Sequence, residues 1–471
     1  MPLSTPMEVF FVSAHKSNNP LKQLDAVIEK TVSHIHDYTK NPNDFTRKRK
    51  LDASTLIKVT LNMEGQSLNT EMIHAFPDME SRATASAYEQ QKAKLTPRLF
   101  RDLFLEYNKT NKEHHLLDNK YMVYAIDGSD FNMPYQSKSK YVVEVSKGKT
   151  RKNAEPIKPY CQFHGNILFN LIDRTYEDVV IQPRMEFDER SAALCMLQNL
   201  QPQEPYIVIM DRGYESFNMI EHCNRLDNGF YIIRARIGAG GIKEIANLPD
   251  KEYDVDMSFR VTTSNRYYKL YKDIENIHLI NSPQKHYKTT LSKNTKETKW
   301  DFRQFETIKC RVCKIRINNP NTNKEEWEVL VTNLNRFEFP ISRMKEMYHM
   351  RWDIETSFRE LKYALGAIQF HSRKDDFVEM ELYAHLTMFN VVSRNINQAT
   401  IPQPSTKKYK YVVSFKDAVT IVRKYFKLFN TDPPEKIYAE LLSYTRPVIP
   451  GRSDKRNVKP KSAVWFVYRV A

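Results

Sequence analysis

Two aspartates stand where apolar runs stop: Asp127 in AIDGSD and Asp211 in VIMDRGY. A third acid, Glu355, lies in YHMRWDIETSFRELK, a stretch without Gly or Pro whose apolar residues recur at helical spacing. In α/β sheets, ligands gather at the carboxyl ends of strands, so two strand-end acids and one helix acid are expected to meet in a single crevice. Three such carboxylates form a hard, oxygen-rich set suited to Mg²⁺ or Mn²⁺. Two ions about 4 Å apart activate a water or hydroxyl and stabilise the leaving oxygen at a phosphodiester. Taken singly, each aspartate reads first as a turn former or a helix cap.

The helix carrying Glu355 has two lines of residues. Met347, Met350, Ile354, Phe358, Leu361 and Leu365 form the line that packs on a core. Beside it run Tyr348, Arg351, Glu355, Arg359 and Lys362, three and four apart and therefore surface neighbours. Alone, that ridge reads as a solvated flank stiffened by ion pairs. Beside a carboxylate site, Tyr348, Arg351 and Lys362 are placed to grip the phosphates flanking a reacting one.

The elements that would position these residues follow from local pattern. Up to about residue 119 the chain reads as helices, with Asp52 or Ser54 as cap residues and a break at Pro97. KYMVYAID reads as a strand, GNILFNLIDRTYEDVVIQP as a hairpin turning near Asp173–Tyr176, and ERSAALCMLQNL as a helix. PYIVIMDRGY contains an apolar strand buried on both faces, and YIIRAR and EEWEVLVTNL are further strands. Between roughly Arg236 and Val331, polar segments such as YYKLYKDI and CRVCKIRI read as β. The GAGG after YIIRAR lacks dinucleotide-site spacing. Cys310 and Cys313 have no second pair at zinc spacing and sit in a strand pattern.

Composition narrows the partners. In 471 residues, 72 Lys and Arg outnumber 57 Asp and Glu, a net charge of +15 that points to a polyanion, nucleic acid before membrane. The excess is clustered in Arg47–Lys50, in Ser137–Lys158 and in the tail from Arg446. No run approaches the roughly 20 apolar residues that span a bilayer. The start lacks the basic-then-apolar pattern of a secretory signal, and five cysteines are too few for a disulfide framework, so a cytoplasmic protein is expected.

Tyr348, Arg351, Glu355 and Lys362, with two, three and six residues between them, resemble the YREK signature of bacterial insertion-sequence transposases, family four of the DDE superfamily. IDGSDFNMP and MDRGY resemble the blocks carrying that family's two catalytic aspartates. IDRTYEDVVIQPR, DERSAALCML and the N-terminal FTRKRKL and SAYEQQKAKLTPRLF also look like family sequence. The resemblance implies an α/β chain. Its ribonuclease-H-like mixed sheet would be flanked by helices, with a β-strand insertion and a helical N-terminal DNA-binding domain. The expected divisions are 1–118 helical and DNA-binding, 119–236 catalytic, 237–328 insertion, 329–400 catalytic with the glutamate helix, and 401–471 helical and basic.

It also implies Asp127, Asp211 and Glu355 as ligands of two Mg²⁺ ions, with Mn²⁺ able to substitute. Hydrolysis at transposon ends would be followed by attack of the freed 3′-hydroxyl on target DNA. Tyr348, Arg351 and Lys362, together with Arg234 and Arg236 at the end of YIIRAR, would touch DNA. Trp327 in EEWEVLV would stabilise a flipped base. Implied partners are double-stranded DNA (terminal inverted repeats and target) and a second copy in a homodimer, with the bacterial nucleoid as location and no membrane. Two other readings fit the residues: a ribonuclease-H-like nuclease without strand transfer, and a catalytically idle DNA-binding inhibitor of transposition.

Overall fold

In the computed structural model the described residues are 19–47, 49–144, 158–238, 241–273, 277–280, 300–318, 325–399, 408–428 and 434–449. Lys48, most of the basic segment 137–158, the middle of GAGG and the basic tail beyond residue 449 lie outside them. The chain forms two compact units. One comprises Glu113–Phe131 and Gln162–Phe358; the other comprises Met1–Lys112, Asn132–Cys161 and Arg359–Ala471.

The sheet is built from β1 (Met122–Met133), β2 (Val142–Val143), β3 (Tyr160–Asn170), β4 (Thr175–Pro183), β5 (Tyr206–Met210), β6 (Gly229–Ala235), β7 (Tyr253–Thr262), β8 (Ile277–Leu279), β9 (Phe305–Asn318) and β10 (Glu325–Thr332). Its order is β2-β3-β1-β5-β6-β10-β9-β7-β8, with β4 on the other side of β3. β5 runs parallel to both β1 and β6, β10 is antiparallel to β6, and β3 and β4 form an antiparallel hairpin. Strands β4-β3-β1-β5-β6, taken in that order, give the ribonuclease-H-like arrangement, a mixed sheet flanked by helices.

Every residue of β5 is buried, as its unbroken apolar run requires when both faces are covered. On one face Met122, Tyr124 and Ile126 of β1, Tyr206, Val208 and Met210 of β5, and Tyr231, Ile233 and Ala235 of β6 form a core. Residues of the helices Glu189–Asn199 and Phe217–Asn224 pack into it. Side chains alternate along a strand, so Val123, Ala125 and Asp127 face the opposite way.

YYKLYKDI does not extend the sheet. Asn265–Tyr271 is a helix whose first turn is capped by the Ser264 hydroxyl accepting from the Tyr267 amide, and it buries no residue fully. The tyrosines suit a strand by type, but Tyr267, Tyr268, Leu270 and Tyr271 fall at helical rather than alternating spacing, and the cap sets the start of the helix. The glutamate helix also differs from its expected form. It is two helices, Ile341–His349 and Trp352–Tyr363, joined by a tight turn in which the Arg351 amide donates to Tyr348 O and the Ile354 amide to Arg351 O.

In the second unit, short capped helices surround the helix Asp375–Gln398, whose residues are buried almost throughout. Asn19, Asp52, Ser67 and Thr84 each cap a helix by accepting from an amide of its first turn. No described helix is long and apolar enough to cross a membrane.

Candidate active site

The register of the parallel pair places the two aspartates together. Ile126 lies opposite Met210, so Asp127 and Asp211 are the next residues on adjacent strands. β1 continues through Asp127 to Met133, whereas β5 stops at Met210. Asp127 therefore sits where β1 parts from β5 rather than at a strand end. Each acid turns toward a nearby glycine: the Gly128 amide donates to Asp127 Oδ1 at 2.9 Å, and the Gly213 amide to Asp211 Oδ1 at 2.7 Å.

Arg351 brings the third acid in. Its Nη1 donates to Asp127 Oδ2 at 3.0 Å and its Nη2 to Glu355 Oε1 at 2.8 Å. The turn between the two helices makes this possible, because it buries the Arg351 side chain while Glu355 stays open to solvent. The guanidinium lies 5.7 Å from the Tyr348 ring and 5.3 Å from the half-exposed Trp352 ring. Arg351 Nε and the Tyr348 hydroxyl are buried without a hydrogen-bond partner among the described residues. The solvated flank that the ridge suggested is thus, at Tyr348 and Arg351, an interior pair.

The electrostatics are acid-heavy. Burial pushes the Asp127 carboxyl up to about 7; Arg351 opposes the rise, and the neighbouring Asp211 and Glu355 add to it. Among the described residues no three His, Cys, Asp or Glu side chains close on one point as a ready-made metal site. The donor chemistry nevertheless fits a hard divalent cation: carboxylate oxygens, an excess of negative charge, and one acid reached by solvent.

The other expected residues divide. Arg234 joins the cluster, with Nε 3.2 Å from the buried Glu328 and its guanidinium 5.9 Å from the Tyr348 ring. Arg236 is tied to the loop after Asp211, its Nε donating to Arg212 O and its amide to Glu215. Lys362 occupies the last turn of the Trp352–Tyr363 helix. Trp327 is not brought to the cluster. Alternation along β10 puts it on the face opposite Glu328, with Lys314 Nζ 5.3 Å from its ring.

Four residues escaped the sequence reading. Arg190 donates to Gly213 O and Glu215 O, both at 2.9 Å, and so pins the loop that follows Asp211. Glu189, His164 and Asp130 line the space beside Gly128 and Gly213. Glu189 and Arg190 stand in DERSAALCML and Asp130 in IDGSDFNMP, but nothing local links those stretches to each other or to His164.

No curated protein matches the chain. Among solved structures it is similar to one titled as the cryo-EM structure of a piggyBac transposase synaptic complex with hairpin DNA. The two are 10% identical with a TM-score of 0.44, over 94% of this chain and 88% of that one. A family described as Transposase DDE domain matches residues 118–391, more than half of the sequence and all of the site's acids. The chain belongs to the DDE transposase-domain family.

Proposed function

We propose that this protein is a cut-and-paste DNA transposase of the YREK-signature family. It would hydrolyse phosphodiesters at the ends of an insertion sequence and transfer the freed 3′-hydroxyl to target DNA. The observation that carries the reading is Arg351 joined to both Asp127 and Glu355, since it draws the strand and helix motifs into one site.

DDE transposases use divalent metal ions. Asp127, Asp211 and Glu355 are the residues that would hold Mg²⁺ or Mn²⁺ here. A bound ion supplies Lewis acidity and a nucleophile at neutral pH. Arg351 balances part of the acid charge until DNA arrives, and its unpaired Nε, with the Tyr348 hydroxyl, gives two buried donors for a backbone phosphate. Arg234, Arg236 and Lys362 extend the cationic contact. Two copies acting on paired ends, the terminal inverted repeats as the recognised DNA and the bacterial nucleoid as the place of action complete the proposal. Trp327 is left out, because its ring is engaged with Lys314.

The test is excision from a plasmid carrying the gene's native flanks, with Mg²⁺, comparing wild type with Glu355→Gln. Excision by wild type alone is expected. Specific end binding without excision by either protein would instead identify an idle DNA-binding protein.

A further inference from the structure

Gly128 and Gly213 follow the two aspartates, yet neither has the positive φ that demands glycine. Space explains them. A Cβ on Gly128 would collide with His164 Nε2 and lie 3.1 Å from Glu189 Oε1. One on Gly213 would lie 2.9 Å from Asp211 Oδ1 and 3.3 Å from Glu189 Oε2. The two missing side chains therefore open a cradle, and the Glu189 carboxylate occupies it, one oxygen toward Gly128 in β1 and one toward Gly213 in the turn after Asp211.

Glu189 is held there from both sides. It opens the helix Glu189–Asn199, capped by Asp188, and its neighbour Arg190 ties that turn to the Asp211 loop. His164 is 5% exposed; its Nδ1 pairs with Asp130 Oδ1 at 2.6 Å. Its Nε2 faces Glu189 Oε1 at 3.3 Å as an ion pair; burial opposes the charged ring, yet Asp130 and Glu189 together hold its pKa above the ordinary value. Carboxylates that bind a metal are themselves held by outer polar partners, and His164, fixed by Asp130, is placed as such a partner for Glu189. The buried Tyr214 hydroxyl, pushed well up by burial, also feels Glu189, Asp127 and Asp211 together, as acids bordering one space should act.

We propose that Glu189 is a fourth carboxylate of the Asp127–Asp211 centre, a binding group for a divalent cation oriented by His164. The inference rests on the metal-dependent reading above. It assigns to the stretch DERSAALCML a role that the three motif acids do not supply.

The experiment titrates full-length, metal-free protein with Mn²⁺ and follows the free ion by electron paramagnetic resonance, so that no DNA cleavage is needed. Wild type, Glu189→Gln, Glu189→Asp and Asp211→Asn are compared, with thermal melts alongside. Glu189→Gln is expected to weaken Mn²⁺ binding by about 10-fold or more, the usual scale for disturbing a metal centre's supporting groups. Glu189→Asp should fall between it and wild type. Should Glu189→Gln melt early, Glu189→Asp decides, because it keeps the charge and withdraws it by one methylene. Wild-type affinity in the glutamate variants, with binding lost in Asp211→Asn, overturns the role of Glu189 alone. Equal binding by wild type and Asp211→Asn overturns the metal reading and this inference together.

Discussion

Two clusters of acids and cations in this chain balance their charge with opposite results. In one, Lys92 Nζ sits 2.9 Å from Glu381 Oε1, with both side chains shielded from water. The second Glu381 oxygen accepts from the His371 amide and faces its ring, whose far nitrogen is 3.4 Å from Glu71. Glu71 in turn accepts from the Glu64 and Gln66 amides. Burial works against both acids, yet Lys92 and His371 hold Glu381 well below the carboxylate range, and His371 with the two amides lowers Glu71. In the other cluster a single guanidinium is shared between Asp127 and Glu355, with Asp211 beside them, and Asp127 rises to about 7. The first network is closed, each acid with its own donors. The second has more acid than base, which is the condition a cation relieves.

The contrast breaks most easily at Lys92. Lys92→Met leaves Glu381 buried without its cation and should cost about 3–5 kcal/mol in urea unfolding. Asp127→Asn should cost nothing at about pH 8, because it removes an acid that the fold disfavours when charged. Equal losses in the two variants would erase the distinction.

A smaller effect is the sign of the pH dependence in metal-free protein. Asp127 is raised from 3.8 to about 7, so its contribution is present below the ordinary value and lost as pH climbs through about 7. Glu381 is lowered, so its contribution is present above the ordinary 4.5 and lost as pH falls. Thermal melts should therefore decline from about pH 5 to about pH 8 in a limb that Asp127→Asn flattens and Mg²⁺ restores. Lys92→Met should flatten only the acid limb. A decline that persists in Asp127→Asn assigns it to another group.

The smallest change concerns Lys362. Lys362→Ala should weaken DNA binding evenly across sequences and reduce the salt slope by about one unit. An unaltered slope removes Lys362 from the phosphate contacts.

Local pattern was enough to find the acids. Asp127 and Asp211 were legible because apolar runs lead into them, and a parallel register then makes them neighbours. The β3–β4 hairpin, the helix from Glu189 and the Asp52 cap were legible for the same reason, since short-range periodicity and turn chemistry determine them. The Asn265–Tyr271 helix departs from the expected strand because tyrosine is a strand-favouring residue type, while the spacing of Tyr267, Tyr268, Leu270 and Tyr271 and the Ser264 cap favour a helix.

What the sequence by itself determined is therefore the set of acids, the strands that carry them, and the basic excess that suits DNA. Only the tertiary structure decided how those charges are balanced. The bond from Arg351 to Asp127 joins residues 224 positions apart, and the turn that frees Arg351 from its expected ridge interrupts an otherwise helical pattern. Glu189 reaches Gly128 and Gly213 because a strand, the turn after Asp211 and a helix start converge. Periodicity reports which face of an element is buried, but a charged side chain's partner depends on which elements arrive beside it, and that is settled by packing.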